Sequence, residues 1–327
     1  MSLRSAPGCH RAAGAPCRCY NGGMATRKLI IGCGYLGRRV AQCWLTQGDT
    51  VFALTRSANN ARVLCDSGIE PVIGDVTDAA SLVRLPEIDT ILYAVGLDRS
   101  SGKSQHEVYV GGLENVLDRV LGKVRRFLYV SSTSVYGQNG GEWVDETSDC
   151  RPEAENGKVC RNAELLLHSR FSAANILRLA GIYGPERLVA RLAALRAGMT
   201  LEGNLDAWLN LIHVDDAVTA ILACECRGGS GTTYLVCDDN PCRRREFYSL
   251  LANLIGAPPP QTMPAAGIAV DSAALNKRCS NRRVREELKV VLRYPSIEIG
   301  LPAALTPSAP NAPRRNPLDS PPLQSGE

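Results

Sequence analysis

Three glycines close a short apolar run, Lys28-Leu29-Ile30-Ile31-Gly32-Cys33-Gly34-Tyr35-Leu36-Gly37, in Gly-x-Gly-x-x-Gly spacing, and Arg39-Val40-Ala41-Gln42-Cys43-Trp44-Leu45 continues with helical periodicity. A buried strand that turns into a helix through such a loop forms a socket for a dinucleotide pyrophosphate. Gly32 permits the tight turn, Gly34 lets the backbone approach the phosphates, and Gly37 lets the helix lie close to the strand. The helix start at Tyr35 and Leu36 adds unpaired N–H groups and a partial positive charge. Gly32, Gly34, Tyr35, Leu36 and Gly37 are therefore the first expected cofactor-binding residues.

The next strand identifies which dinucleotide. A carboxylate about 20 residues past the loop pairs with the ribose hydroxyls of NAD, whereas an arginine suits a 2′-phosphate. Here Val51-Phe52-Ala53-Leu54 runs into Thr55-Arg56 with no acid. The expected cofactor is NADP, with NAD as the alternative and a merely solvated Arg56 as the competing reading. Arg38 or Arg39 could assist. In Gly74-Asp75-Val76-Thr77-Asp78, Asp75 could accept from an adenine amino group or serve the turn, and Asp78 reads as a cap.

These residues need a scaffold, and the chain supplies an alternating one. Strands are expected at 28–32, 50–55, 69–73, 89–95, 126–131 and 174–180, with helices at 35–47, 58–67, 104–122 and 158–170 between them. The fold class is α/β, a doubly wound parallel sheet of the Rossmann type. Residues 24–180 form the dinucleotide-binding domain in this reading. Helices at 186–197, 215–226 and 243–255 and an apolar run at 232–237 form a smaller substrate lobe at 181–304, partly interleaved with the sheet. Residues 1–23 lack acids and periodicity and are expected to be disordered, whether as a transit peptide or an overlong start. Six prolines interrupt 305–327, where no packed element is expected.

Composition narrows the partners. A 327-residue chain that is 45% hydrophobic can bury a full core, and a net charge of +4 with no long basic run implies neither nucleic acid nor an anionic membrane. No apolar stretch approaches the ~18 residues that cross a bilayer. The 13 cysteines show no paired C-x-x-C spacing. Reduced thiols in a cytoplasmic protein are expected. Cys9, His10, Cys17 and Cys19 form the one local cluster, with a spacing that matches no recognised metal site. The expected partner is a small-molecule substrate, and the oligomeric state is left open.

Further motifs lie in a specific order: Asp89-Thr90-Ile91-Leu92-Tyr93-Ala94, Ser131-Ser132-Thr133-Ser134-Val135-Tyr136-Gly137, Leu177-Arg178-Leu179-Ala180-Gly181-Ile182-Tyr183-Gly184-Pro185 and Ile212-His213-Val214-Asp215-Asp216. Over residues 27–304 the chain resembles the extended short-chain dehydrogenase/reductases, the NAD-dependent epimerase/dehydratase family. The resemblance implies a Ser/Thr, a Tyr and a Lys beside the nicotinamide, the Lys lowering the Tyr pKa so that it can act as acid and base. The Ser/Thr position falls on Ser132. Aligned on Gly157 and Ala163-Glu164, the Tyr position holds Asn156 and the Lys position holds Cys160. An amide exchanges no proton near neutral pH and a thiol supplies no fixed positive charge. The chain thus reads as an atypical branch lacking the Tyr-x-x-x-Lys pair.

Tyr136 is the leading substitute acid, Tyr183 the second, and a packed tyrosine the competing reading for Tyr136. His213 reads as structural, with Asp215 capping the following helix. Leu209 and Leu211 flank Asn210 where relatives acting on nucleotide sugars often carry an arginine, which weakens the case for that substrate. The reading is an NADP(H)-dependent oxidoreductase or epimerase with a non-standard proton relay, or else a non-catalytic NADP(H) sensor.

Overall fold

The computed structural model describes residues 25–201, 203–262 and 276–306. The expected extension at 1–23, with Cys9, His10, Cys17 and Cys19, and nearly all of the Pro-rich tail lie outside these residues.

Seven parallel strands form the central sheet: β1 (Arg27–Ile31), β2 (Thr50–Thr55), β3 (Glu70–Ile73), β4 (Thr90–Tyr93), β5 (Arg126–Ser132), β6 (Asn175–Leu179) and β7 (Thr233–Val236). Their order is β7-β6-β5-β4-β1-β2-β3. The direction of winding reverses between β1 and β4, where Ile31 is level with both Leu54 and Tyr93. At such a reversal the loops at the strand C-termini part and leave a crevice for a ligand.

Because the sheet is covered on both faces, its strands are apolar nearly throughout. On one face, α1 (Tyr35–Thr46) and a later helix, Val214–Arg227, pack over Ile30, Ala53, Leu92, Leu128 and Leu177. On the other, Gly112–Val120 and Glu155–Arg170 cover Leu29, Ile31, Ile91, Phe127 and Ile176. Lys28 lies buried in β1 between Asp49, at 2.8 Å, and Glu225, at 2.7 Å. Glu225 also accepts from the Trp44 indole at 2.7 Å, so the buried carboxylate is fully partnered. A third apolar cluster joins Val189–Arg196, Arg244–Leu254 and Ile297–Leu305 into the second lobe.

One expectation about the elements needs correction. The interleaving of residues 181–304 with the sheet comes from β7 in the run 232–237, which pairs with β6 in parallel, and from Val214–Arg227, which packs against α1. A short apolar run reads alike as lobe core or sheet edge. The single helix expected at 104–122 is a π-turn at Glu107–Gly111 followed by Gly112–Val120. Nine described cysteines are free thiols. Among the described residues no helix is long and apolar enough to cross a membrane, and no group of three or more His, Cys, Asp or Glu could hold a metal ion.

Candidate cofactor site

The glycine turn owes its shape to steric limits. Gly32 has φ of 95°, and a Cβ there would lie 2.3 Å from the Ala94 carbonyl oxygen. A Cβ on Gly37 would lie 2.7 Å from the Gly32 carbonyl oxygen and 3.0 Å from Ile30 Cγ2, so only glycine lets α1 lie this close to β1. Gly34, the residue before α1, is exposed, and a Cβ there would meet nothing within 4 Å. Its open side is free for a ligand to approach the backbone.

A cleft of about 570 Å³ runs past this turn. Gly32, Gly34, Tyr35 and Leu36 line its centre, and Ala94, Val95, Gly96 and Leu97 face them from the end of β4. Gly37 lies behind the turn as a packing residue. This turn, open on one side to a cleft at the sheet's winding reversal, fits the diphosphate of a dinucleotide.

At one end, Thr55, Arg56 and Asn60 line the cleft beside Asp75, Thr77 and Lys103. Arg56 Nη2 lies 2.8 Å from Asp98 Oδ2, and both side chains are about half exposed (50% and 44%), so water screens the pair. Arg38 Nη2 donates to Asn60 Oδ1 at 2.7 Å, and Asn60 Nδ2 donates to Thr55 Oγ1 at 2.9 Å. Arg39 instead stacks on the Tyr35 ring at 4.0 Å. Of the two, Arg38 is the one tied to the end of β2.

The Asp75 carboxylate accepts from Thr77 N and Oγ1 at 2.9 and 2.8 Å, and Lys103 Nζ lies 3.3 Å from its second oxygen. Partial burial pushes its pKa up, but these donors outweigh burial and hold it below the usual carboxylate range. Asp78 accepts from Ala80 N at 3.1 Å, as a turn residue. Lys103, Thr77, Asn60 and Asp98 were absent from the sequence expectation. They sit on four separate segments with no shared periodicity, and only the topology brings them together.

The expected catalytic residues have other surroundings. Ser132 ends β5 and its Oγ accepts from Ser134 N at 3.1 Å, capping the short turn Thr133–Val135; it is not among the cleft-lining residues. Tyr136 is fully buried. Its hydroxyl accepts from Arg178 Nη1 at 2.9 Å, and Arg178 also reaches Glu164 through Nε at 2.9 Å and Nη2 at 2.7 Å. Burial raises the Tyr136 pKa above its usual value even though Arg178 opposes the shift. Tyr136 is thus buried against Arg178 and does not line the cleft, as its competing packed reading has it. Tyr183, also fully buried, does not line the cleft.

Asn156 and Cys160 sit one turn apart on the helix Glu155–Arg170. A Cβ on Gly157 would lie 2.4 Å from the Ser134 carbonyl oxygen, so this helix presses directly on the Ser132–Ser134 corner. Asn156 is exposed and its Oδ1 accepts from Gly157 N; Cys160 is half-buried, and burial pushes its thiol pKa up. Neither supplies a fixed positive charge.

His213, not Asp215, caps the helix Val214–Arg227: its Nδ1 accepts from Asp215 N at 3.2 Å. Burial pulls its pKa down to about 4, which keeps the ring neutral and Nδ1 able to accept. Tyr294 packs on it at 3.9 Å and Tyr183 meets it edge-on at 5.3 Å.

The family model described as the NAD dependent epimerase/dehydratase family matches residues 29–237. The chain belongs to this family. Protein YeeZ of Escherichia coli strain K12 is 29% identical over 275 residues, which covers 81% of this chain and 95% of that protein. A 3-diazoavenalumate denitrifying reductase of a Streptomyces species is 27% identical over 261 residues, 73% of this chain and 85% of that one. Among solved structures, the dTDP-glucose 4,6-dehydratase DesIV of Streptomyces venezuelae, with NAD and TYD bound, aligns with a TM-score of 0.73 at 23% identity over 85% of this chain and 95% of that one. At that identity the likeness speaks for the Rossmann-type fold alone.

Proposed function

We propose that this family member is an NADP(H)-dependent oxidoreductase or epimerase of a small molecule, with a proton relay that does not run through the usual Tyr-Lys pair. The observation that carries the reading is the cleft itself, with the glycine turn at its centre and, at its far end, Arg56 and the Asn60 that Arg38 holds, without a carboxylate on β2. Gly32, Gly34, Tyr35 and Leu36 would hold the diphosphate, Arg56 a 2′-phosphate, and Asp75 the adenine amino group. A nicotinamide dinucleotide supplies hydride chemistry when bound. Asp98 is the group a 2′-phosphate must displace from Arg56, and the solvent-screened pair is cheap to break.

Ser132 orients a substrate oxygen at the corner where β5 meets the helix Glu155–Arg170. Similarity to a reductase supports turnover.

A second reading, a sensor of NADP(H) occupancy without turnover, is favoured by Asn156 and Cys160 at the relay positions and by the hydroxyl of Tyr136 lying buried against Arg178. The two separate in one assay. With NADPH and a panel of aldehydes and ketones, the enzyme reading predicts loss of the nicotinamide absorbance with at least one substrate, and a Ser132→Ala rate at least about 10-fold lower. Tight NADPH binding with no consumption across the panel would favour the sensor.

A further inference from the structure

Beyond residue 180, the described residues that reach the cleft are Ile182 and Arg187. Arg187 arrives on a turn built against the glycine loop. Gly184 has φ of 149°, and a Cβ there would lie 2.7 Å from Val214 Cγ1 and 2.8 Å from the Tyr35 hydroxyl. That hydroxyl donates to the Pro185 carbonyl oxygen at 2.7 Å, and Arg187 N donates to the Gly184 carbonyl oxygen at 3.1 Å. Glu186 takes φ of 68°, a left-handed conformation that is costly for a residue with a Cβ. The outcome of this costly turn is that the exposed Arg187 guanidinium stands 5.4 Å from the centre of the Tyr35 ring, on the cleft wall beside the N-terminus of α1. No carboxylate pairs with it among the described residues.

We propose that Arg187 clamps the diphosphate of the bound dinucleotide from the second lobe, opposite the backbone N–H groups that the glycine turn offers from the first. The proposal rests on the cofactor reading above. The planar fork of a guanidinium suits two phosphate oxygens at once, and the strongest hydrogen bonds in such sites are those between two ions. Tyr35 fixes the place of contact, because its backbone belongs to the phosphate turn while its hydroxyl holds the arginine's own turn. The site is thereby assembled from both lobes, and dinucleotide binding couples them.

The test uses the full chain and fluorescence of bound NADPH, displaced by ADP or by adenosine. Arg187→Ala is expected to weaken NADPH and ADP by the same factor, about 10- to 100-fold, to leave adenosine unchanged, and to flatten the dependence of binding on salt. Arg187→Lys should recover part of the loss. Unfolding midpoints should not move, since the side chain is exposed. Equal losses for ADP and adenosine, or an unchanged ADP affinity, would overturn the clamp while leaving the cofactor reading in place. Failure of the wild-type chain to bind NADPH would overturn both.

Discussion

At the scale of single residues, the strongest contrast is between the Tyr136 that the sequence offered as an acid and the Tyr136 that the fold contains. Its hydroxyl completes a buried group in which Arg178 bridges to Glu164, and Glu164 also takes the Ser131 hydroxyl at 2.7 Å. Tyr136→Phe would leave one donor of a buried guanidinium without its partner, a cost of about 1–3 kcal/mol. The expected result is a lower denaturant midpoint with binding of NADPH unchanged; an intact midpoint would show that the Arg178 contact contributes nothing. Nothing in the run Ser132-Thr133-Ser134-Val135-Tyr136 distinguishes a hydroxyl aimed at a ligand from one aimed at an arginine 42 residues further on. The glycines were legible for the opposite reason, because steric demand at a turn restricts residue type locally.

At the scale of elements, the strands of the central sheet read nearly to their ends, whereas the helices Arg282–Glu287 and Ile297–Leu305 were not expected. Burial on both faces makes parallel strands continuous apolar runs, and β2 at Thr50–Thr55 coincides with its expected bounds. Which C-terminal strand interleaves with the sheet was not legible. β7 carries four residues, too few for periodicity to say which sheet it joins. The cap of Val214–Arg227 was missed by two residues because a neutral buried histidine accepts a backbone N–H as an aspartate would. The contact between β1 and α1 is the element pair on which the site depends. Gly37→Ala would force a Cβ to within 2.7 Å of the Gly32 carbonyl oxygen and push α1 outward. We expect a loss of about 1–3 kcal/mol in stability together with weaker dinucleotide binding. Denaturation and titration of the same variant check it, and wild-type behaviour in both would contradict the packing role of Gly37.

At the scale of the whole molecule, the two lobes meet over a buried carboxyl. Asp238 follows β7, is 2% exposed, and has only the Asn240 backbone N–H to offset its burial. Burial first, and then Asp239, Asp216 and Glu298, push its pKa up to about 9. The folded chain therefore holds a proton there that the unfolded chain releases near pH 4, so stability falls as pH rises from about 4 through about 9. Asp238→Asn mimics the protonated carboxyl. Urea midpoints at pH 5, 7 and 9 should decline less steeply in the variant, and an identical decline would exclude Asp238 as the cause. Nothing in residue order marks this group, because neither burial nor the approach of Glu298 from a distant helix is visible there.

The same scale governs the cleft, where the end of β2, the loops after β3 and β4, and the turn at 184–187 converge from segments far apart in the chain. Equilibrium titration of the full chain with NADPH and with NADH, repeated on Arg56→Ala, decides the cofactor. NADPH is expected to bind at least about 10-fold more tightly than NADH, and Arg56→Ala to remove this preference without abolishing binding of NADH. Equal affinities in the wild-type chain, or a preference that survives Arg56→Ala, would contradict the NADP(H) reading.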